Sequence, residues 1–424
     1  MRVAIVGGGI GGMTLALSLV NAGIDDVDIY ESAPAIRELG VGINVLPHGV
    51  RELAELGLLE ELSAIGIRTA EFFYYAKSGQ QIFGESLGVE AGYSWPQFSI
   101  HRGELLGVLS RAVVDRLGPD RIHTDHQLAR FGQGSDGAWA EFVGRGTATV
   151  VGRATADLLV GCDGIHSMVR RTLDPDEGPP RWNGVTMWRG VTLGEPFLSG
   201  RTMINAGSSK QRVVIYPISK VQADQGRALI NWVAHMRTGE HRPMPPQDWT
   251  YTARREEVLE AFAHFDFDFL DVPALIRGAE AIYQYPMVDR DPLPTWDFGY
   301  VTLLGDAAHP MHPAGGNGAS QAIIDARVLA RELVLQHSIE AAVGAYDAQR
   351  RPATAAVVQS NRRAGPNRCQ DLVEERAPHG FADLADVVSP QELEEIASDY
   401  KRLAGFDIDR LNQRPSWSVA RASG

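Results

Sequence analysis

The chain opens with a glycine-rich turn between an apolar strand and an apolar helix, and this turn constrains the fold more than any other feature. Residues 3–6 read Val-Ala-Ile-Val, which is typical of a buried parallel strand. Gly7, Gly9 and Gly12 follow in G-x-G-x-x-G spacing, and a helix is predicted over 13–22. Such a turn aims backbone N–H groups and the positive end of a helix dipole at one point, where a pyrophosphate can approach the backbone. The segment predicts a Rossmann-like α/β fold.

The second predicted strand, over 27–30, ends in an acid where a dinucleotide fold needs one. Glu31 lies nineteen residues past Gly12, and we expect it and Ser32 to bind the ribose of the first nucleotide. A solvated strand-end carboxylate is the alternative. An acid at this point disfavours a 2′-phosphate, so FAD or NAD fits better than NADP. The cofactor contacts predicted in the turn are Gly7, Gly9, Ile10, Gly11 and Gly12.

Composition limits the class of protein. The 424 residues are enough for two domains, and 44% hydrophobic with 22% charged residues is typical of a globular protein. A net charge of −13 without a basic run argues against a nucleic-acid partner. The two cysteines are too few for a disulfide framework, and the sequence has no charged leader and no apolar stretch long enough for a bilayer. We therefore expect a cytoplasmic protein without a membrane partner, as a monomer or homodimer.

Histidine pairs offer no metal site in the sequence. His309 and His312 are three residues apart, as are His123 and His126, but neither pair stands in a carboxylate or thiolate constellation. We predict no metal.

Two further motifs follow predicted strands. The first runs from Cys162-Asp163-Gly164 to Arg170; the second begins Gly305-Asp306 and continues to Pro313-Ala314-Gly315-Gly316-Asn317-Gly318. With the N-terminal turn, and in the same order, they resemble the three motifs of the single-component FAD-dependent aromatic hydroxylases, the group A flavoprotein monooxygenases. The resemblance covers nearly the whole chain. Stretches 40–44, 93–105, 187–190, 285–294 and 317–322 resemble the phenazine-modifying branch, from which the triplet Ala314-Gly315-Gly316 departs.

The resemblance implies polar contacts to FAD. Asp306 is expected to accept a hydrogen bond from a ribityl hydroxyl, and Arg102 to lie near the pyrophosphate. Asp163 and Arg170 are expected to serve the flavin site and the handling of NAD(P)H. A turn aspartate and a surface arginine are the alternative for the last two.

The resemblance also implies how the backbone surrounds the isoalloxazine ring. Pro313 and Gly316 are expected beside the reacting carbon. N–H groups at the start of the helix that follows can stabilise the negative charge of reduced flavin. Arg37 is expected in a loop that passes along the ring. The remaining implied cofactor contacts are Val41, Gly42, Ile43, Gly316, Asn317, Gly318 and Ala319.

The texture of the chain divides it into two domains and a tail. Between 184 and 285, strands rich in aromatic and β-branched residues predict a separate sheet. We predict an α/β, Rossmann-like FAD-binding domain over 1–72, 98–183 and 286–364. A second, α+β substrate domain on an antiparallel or mixed sheet is predicted over 73–97 and 184–285, with a helical tail over 365–424.

The implied function is monooxygenation. NADH or NADPH would reduce FAD, and O2 would give a flavin C4a-hydroperoxide that hydroxylates an electron-rich aromatic or N-heteroaromatic substrate. An FAD oxidoreductase without oxygenation, such as a reductase or a halogenase, and a non-catalytic FAD-binding protein are the alternatives. Aromatic residues on strands are often core, but those that could line a substrate pocket are Trp188, Tyr216, Trp232 and Tyr285. Arg189 could pair with a substrate carboxylate or form a structural ion pair.

Overall fold

The computed structural model describes residues 1–36, 40–239, 244–248 and 251–419. The strands, numbered along the chain, are β1 (Arg2–Val6), β2 (Asp26–Tyr30), β3 (Gly42–Val45), β4 (Ile67–Thr69), β5 (Glu71–Tyr75), β6 (Gln81–Ser86), β7 (Gln97–His101), β8 (Ile122–His123), β9 (Gln127–Gly134), β10 (Gly137–Val143), β11 (Val150–Ala156), β12 (Leu158–Gly161), β13 (Arg181–Gly194), β14 (Thr202–Gly207), β15 (Gln211–Pro217), β16 (Ala228–Arg237), β17 (Asp266–Phe267), β18 (Leu270–Asp271), β19 (Tyr283–Asp289) and β20 (Val301–Leu303).

The α-helices are numbered in the same way. They are α1 (Ile10–Asn21), α2 (Pro47–Glu55), α3 (Leu59–Ile65), α4 (Arg102–Leu117), α5 (Met168–Leu173), α6 (Lys220–Ala223), α7 (Arg255–Phe262), α8 (Val272–Gly278), α9 (Gly318–Leu335), α10 (Ile339–Arg362), α11 (Arg368–Arg376), α12 (Pro390–Ala404) and α13 (Ile408–Gln413).

A five-stranded parallel sheet organises the first half of the fold. Its strand order is β20-β12-β1-β2-β8, with α1, α4 and α9 packed together beside it. Ile5, Leu15 and Val160 are fully buried in this core, as expected for strands covered on both faces. The predicted α/β class with a Rossmann-like domain is confirmed.

A seven-stranded mixed sheet forms the second half, in the order β19-β13-β16-β15-β14-β5-β6. β14 and β5 pair in parallel, and the other neighbours pair antiparallel. One face packs against α7 and α8 through Phe262 and Leu275. The opposite face looks into the large cavity described below. Because side chains alternate along a strand, each strand supplies both the core and the cavity wall.

One predicted helix is interrupted. The sequence pattern predicts a single helix over 49–65, but the structure has α2 and α3 with a break between them. Gly57 has φ +79° there, and the Leu58 N–H turns back to the carbonyl of Leu53 at 3.0 Å. A left-handed glycine of this kind ends a helix at low steric cost, and apolar periodicity does not reveal it.

The C-terminal segment is bound to the rest of the fold. Arg51 donates to the carbonyl of Leu411 at 2.8 Å, the Tyr93 hydroxyl to that of Phe406 at 2.6 Å, and Gln321 to that of Ala404 at 2.9 Å. These contacts hold α12 beside the start of α9. No helix among the described residues is long and apolar enough to span a membrane.

Candidate active site

A cavity of about 1130 Å³ lies between the parallel sheet and the open face of the seven-stranded sheet. Its wall contains the N-terminal glycine turn, both later motifs and side chains from α11 and α12. A space of this size exceeds the usual range for a single small ligand, so it has room for a cofactor together with a substrate. The predicted site residues can be placed relative to it.

The three predicted motifs meet because their strands are neighbours. β1 pairs with β12, and β12 pairs with β20, all in parallel, so the three turns leave the same edge of the sheet. At Gly7, φ is +108°, and a Cβ would lie 2.4 Å from the carbonyl oxygen of Cys162. At Gly12, a Cβ would lie 2.0 Å from the carbonyl oxygen of Gly7. Both positions therefore require glycine for close packing of the turns.

The middle of the glycine turn is open toward the cavity. A Cβ on Gly9 would meet nothing within 4 Å, and Gly9, Ile10 and Gly11 line the wall. This is the empty backbone cradle that a pyrophosphate needs. Glu31 lies beside the turn, where one carboxylate oxygen accepts the Gly8 N–H at 2.8 Å.

The second oxygen of Glu31 accepts the Ala33 N–H at 2.7 Å and the Ser32 hydroxyl at 3.1 Å. Glu31 and Ser32 lie outside the cavity wall, beyond the glycine turn. Their contact with a ribose stays a prediction.

Asp306 and Arg102 face the cavity from opposite elements. The Asp306 carboxyl is accessible only through the cavity, and burial raises its pKa, while His309 and Arg102 act in the opposite direction. Within the described residues, the Arg102 guanidinium has no hydrogen bond. A carboxylate for a sugar hydroxyl and a free guanidinium for a phosphate are the donor set that FAD requires, so these residues fit the implied cofactor.

Replacing Asp306 by alanine should weaken FAD binding by about 1–3 kcal/mol, the range for a hydrogen bond to a charged group. Equilibrium dialysis followed by flavin fluorescence measures the effect. Asp224 is an exposed aspartate of the other sheet, and D224A serves as the control. Equal FAD retention by D306A and D224A would remove Asp306 from the site.

The second motif holds the site together from behind. Asp163 does not line the cavity: its oxygens accept the Ser167 hydroxyl at 2.5 Å and the Met168 and Val169 N–H groups at 2.7 and 3.2 Å. Its contacts are those of a cap on α5, which is the structural alternative. Contact of Asp163 with the cofactor stays a prediction without support from this geometry.

Arg170 is not the surface arginine of the alternative. It is 1% exposed and donates to the carbonyls of Ala307 and Ala308 at 3.2 and 2.7 Å and to that of Asp291 at 2.7 Å. It also pairs with Glu177. Arg170 therefore fixes the main chain that carries Asp306.

The third motif forms the wall opposite β3. Pro313, Gly316, Gly318 and Ala319 line the cavity, and Gly316 has φ +63°. The first backbone bond of α9 runs from the Gln321 N–H to the Asn317 carbonyl, so earlier N–H groups precede the helical ladder. These groups are available to an electron-rich ring edge.

The Asn317 side chain is used elsewhere. Its oxygen lies 3.0 Å from His48 Nε2, and its amide donates to the Tyr400 hydroxyl at 3.2 Å. Asn317 is buried and does not line the cavity, so any cofactor contact would come from its backbone.

Gly315 explains the departure of the triplet from the phenazine-modifying branch. It has φ +72°, and a Cβ there would lie 2.4 Å from the Tyr400 hydroxyl. That hydroxyl donates to the Ala314 carbonyl at 3.0 Å. The glycine thus admits a tyrosine of α12 into the cavity wall, which the sequence analysis did not foresee.

The opposite wall carries a charged group near the expected ring. Arg189 donates to the Gly42 carbonyl at 2.5 Å, and its guanidinium contacts the phenol groups of Tyr216 and Tyr285. Its buried Nε has no hydrogen-bond partner, and no described carboxylate lies within ion-pair distance. Burial raises the pKa of Tyr216, which stays neutral. Val41, Gly42 and Ile43 line the wall beside it.

Two predicted pocket residues are elsewhere. Trp188 and Trp232 are 1% and 2% exposed and lie in the core on the far face of the sheet. The Trp188 indole donates to Gln284 at 3.1 Å and that of Trp232 to Thr192 at 3.2 Å. The prediction that they line the pocket is wrong, because adjacent positions on a strand face opposite sides. Arg37 lies outside the described residues.

The histidines have structural partners. His309 pairs with the buried Asp325, and His123 lies 2.9 Å from Asp28. No group of three His, Cys, Asp or Glu side chains in the described part of the chain is arranged to hold a metal ion.

Several cavity residues were not expected from the sequence. Strand alternation could have identified Arg212, because it lies on the same face of β15 as Tyr216. The residues of the C-terminal segment had no such signal. The unexpected side chains of the wall include Asn205, Arg212, His235, Asn361, Asp371 and Tyr400.

Comparison with known proteins places the chain among flavoproteins. A family model described as "FAD binding domain" matches residues 1–361. The phenazine 1,6-dicarboxylic acid hydroxylase PhzS of Lysobacter antibioticus is 46% identical over 363 residues, which cover 85% of this chain and 89% of that protein. A salicylate hydroxylase of Pseudomonas putida is 30% identical over 393 residues, which cover 86% and 85%.

Solved structures agree in fold. Klebsiella pneumoniae HpxO, complexed with FAD and uric acid, superimposes with a TM-score of 0.73 at 25% identity, covering 97% of this chain and 96% of that one. A salicylate hydroxylase in a substrate complex gives 0.72 at 24% identity and covers 98% of both chains.

Proposed function

The chain belongs to the family of FAD-dependent aromatic hydroxylases, and on this premise we propose that it hydroxylates a planar N-heteroaromatic carboxylic acid of the phenazine-carboxylate class. It is an FAD-dependent monooxygenase that consumes NAD(P)H and O2. The substrate class is supported by the 46% identity to a hydroxylase of a phenazine dicarboxylic acid. It is supported from within the chain by the cavity wall.

The observation that carries this proposal is the state of Arg189. A guanidinium with an unpartnered buried Nε is costly unless a ligand or water completes its hydrogen bonds. A carboxylate accepts two parallel N–H bonds from such a group, which also fixes the orientation of a flat ring. Tyr216 and Tyr285, on either side, provide flat apolar surfaces for that ring.

Bound FAD, once reduced by NAD(P)H, would supply activated oxygen for transfer to an electron-rich ring carbon. The residues of the chain do the rest. Asp306, Arg102 and the glycine turn would hold the cofactor, and Arg189 would orient the substrate. Tyr400 reduces the access of water by closing the wall beside Ala314.

The test is product formation by the purified holoenzyme. With phenazine-1,6-dicarboxylic acid or its monocarboxylic analogue, NADH or NADPH and ¹⁸O₂, we expect substrate-dependent NAD(P)H oxidation. Mass spectrometry should find a product carrying one ¹⁸O atom. Benzoic acid, a single ring too small to fill the cavity, should stimulate oxidation far less. NAD(P)H oxidation without an oxygenated product from either phenazine acid would contradict the proposed substrate class.

A further inference from the structure

A second buried arginine faces the same cavity at some distance from Arg189. Arg212 is 7% exposed, and its Nε and Nη2 have no hydrogen-bond partner. It lies on β15 with Val214 and Tyr216, whose side chains also line the cavity. Burial lowers the pKa of the guanidinium, because the charge lacks solvent and a close counter-ion. Unsatisfied charged donors at a cavity wall indicate a missing acceptor.

The one carboxylate near Arg212 does not complete it. Asp371 Oδ1 lies 3.9 Å from Nη2, which is beyond hydrogen-bond distance, and it accepts the Ser209 N–H at 2.7 Å. Glu85, the other acid of the cavity wall in this part of the sheet, is paired with Lys401 at 2.5 Å. The charge of Arg212 is therefore only partly balanced by the described residues.

The neighbour across the sheet is also incompletely bonded. His235 pairs in register with Arg212 and lines the cavity, and its Nε2 has no partner. Burial lowers its pKa to about 3, with Arg212 and Arg189 acting in the same direction, so the ring is neutral. A neutral imidazole can donate one N–H to an anion beside the guanidinium.

The register fixes the relation between the two arginines. Arg189 pairs with Val233 and Arg212 with His235, so they lie two strands and two residues apart on one face. Ideal sheet spacing puts their Cα atoms about 12 Å apart. One flat ligand lying across β13, β16 and β15 can therefore reach both side chains.

From these observations we propose that Arg212, with His235, forms a second anion-binding subsite, which recognises a second acidic group of the aromatic substrate. The enzyme then selects a planar diacid over the monoacid. The inference rests on the proposed function, because it assumes that Arg189 binds the first carboxylate. It assigns Arg212 a role in specificity and none in oxygen transfer.

The experiment compares two acids on the holoenzyme. Perturbation of the flavin absorbance is titrated with phenazine-1,6-dicarboxylate and with phenazine-1-carboxylate. The wild type should bind the diacid at least 10-fold more tightly. Arg212→Met should abolish this preference and change the Kd of the monoacid less than twofold. Arg212→Lys, which keeps the charge without the planar fork, should retain an intermediate preference and covers the case in which Arg212→Met fails to bind FAD.

The matched control is another arginine of the same wall. Arg368 is already paired with Glu375 at 2.6 and 3.0 Å, so Arg368→Met should leave the preference unchanged. Equal weakening of both acids by Arg212→Met, or an unaltered preference in Arg212→Lys and Arg212→Met alike, would overturn the subsite. Equal binding and hydroxylation of both acids by the wild type would also overturn it, while leaving the proposed function in place. Failure to hydroxylate either acid would refute the proposed function instead.

Discussion

Replacing Arg189 by methionine should weaken the binding of a carboxylated aromatic substrate by about 2–5 kcal/mol, the cost of removing one partner of a buried charge pair. Methionine keeps most of the volume, so the wall should not collapse. FAD should remain bound, because the bond lost within the protein is the one to the Gly42 carbonyl. Flavin absorbance titration gives the Kd, and flavin content gives the occupancy.

The control for this prediction is a change in the ligand. An analogue of the substrate without its carboxyl group should bind the wild type and R189M within about twofold, because it cannot use the guanidinium. Arg237 also lines the cavity, but it is exposed and bonded to the Asn183 carbonyl, so R237M should bind the acid normally. If R189M lost affinity equally for the acid and the analogue, Arg189 would shape the wall without binding a carboxylate.

Replacing Arg170 by methionine should lower the free energy of unfolding by about 3–5 kcal/mol, the usual cost of breaking a buried ion pair from one side. The substitution strands the carbonyls of Ala307 and Ala308 and leaves Glu177 with Arg290 alone. The main chain that carries Asp306 would loosen, so FAD affinity should fall as well. Urea unfolding of the apoprotein separates the loss of stability from the loss of cofactor.

The neighbouring arginine provides a matched control. Arg171 lies on the same helix, is exposed, and contacts only Met168 within the described hydrogen bonds. R171M should change the free energy of unfolding by less than about 0.5 kcal/mol, as surface substitutions usually do. Similar stability of R170M and R171M would show that Arg170 does not hold the loop.

The cofactor half of the fold was predictable because its determinants are local. Glycines at fixed spacing, a strand before them and a helix after them specify a turn whatever the rest of the chain does. The motifs at Asp163 and Asp306 follow parallel strands, and carboxyl ends of parallel strands share an edge. The meeting of three distant segments therefore followed from strand polarity.

The substrate side was less predictable because it depends on strand phase and on distant packing. Trp188 and Arg189 are adjacent on β13 and cannot both face the cavity, so only one of these two predictions could hold. Trp232 pairs with Ile215, which puts it on the face opposite Tyr216. Gly315 and Tyr400 are far apart in sequence, and nothing local at either position predicts that they pack together.

The most direct test of the account is a crystal structure of the holoenzyme with a bound phenazine carboxylic acid. We expect the isoalloxazine ring between residues 41–43 and 316–319, with Asp306 on the ribityl chain and the substrate carboxylate on Arg189. An isoalloxazine ring bound outside this cavity, or a carboxylate directed away from both Arg189 and Arg212, would contradict it.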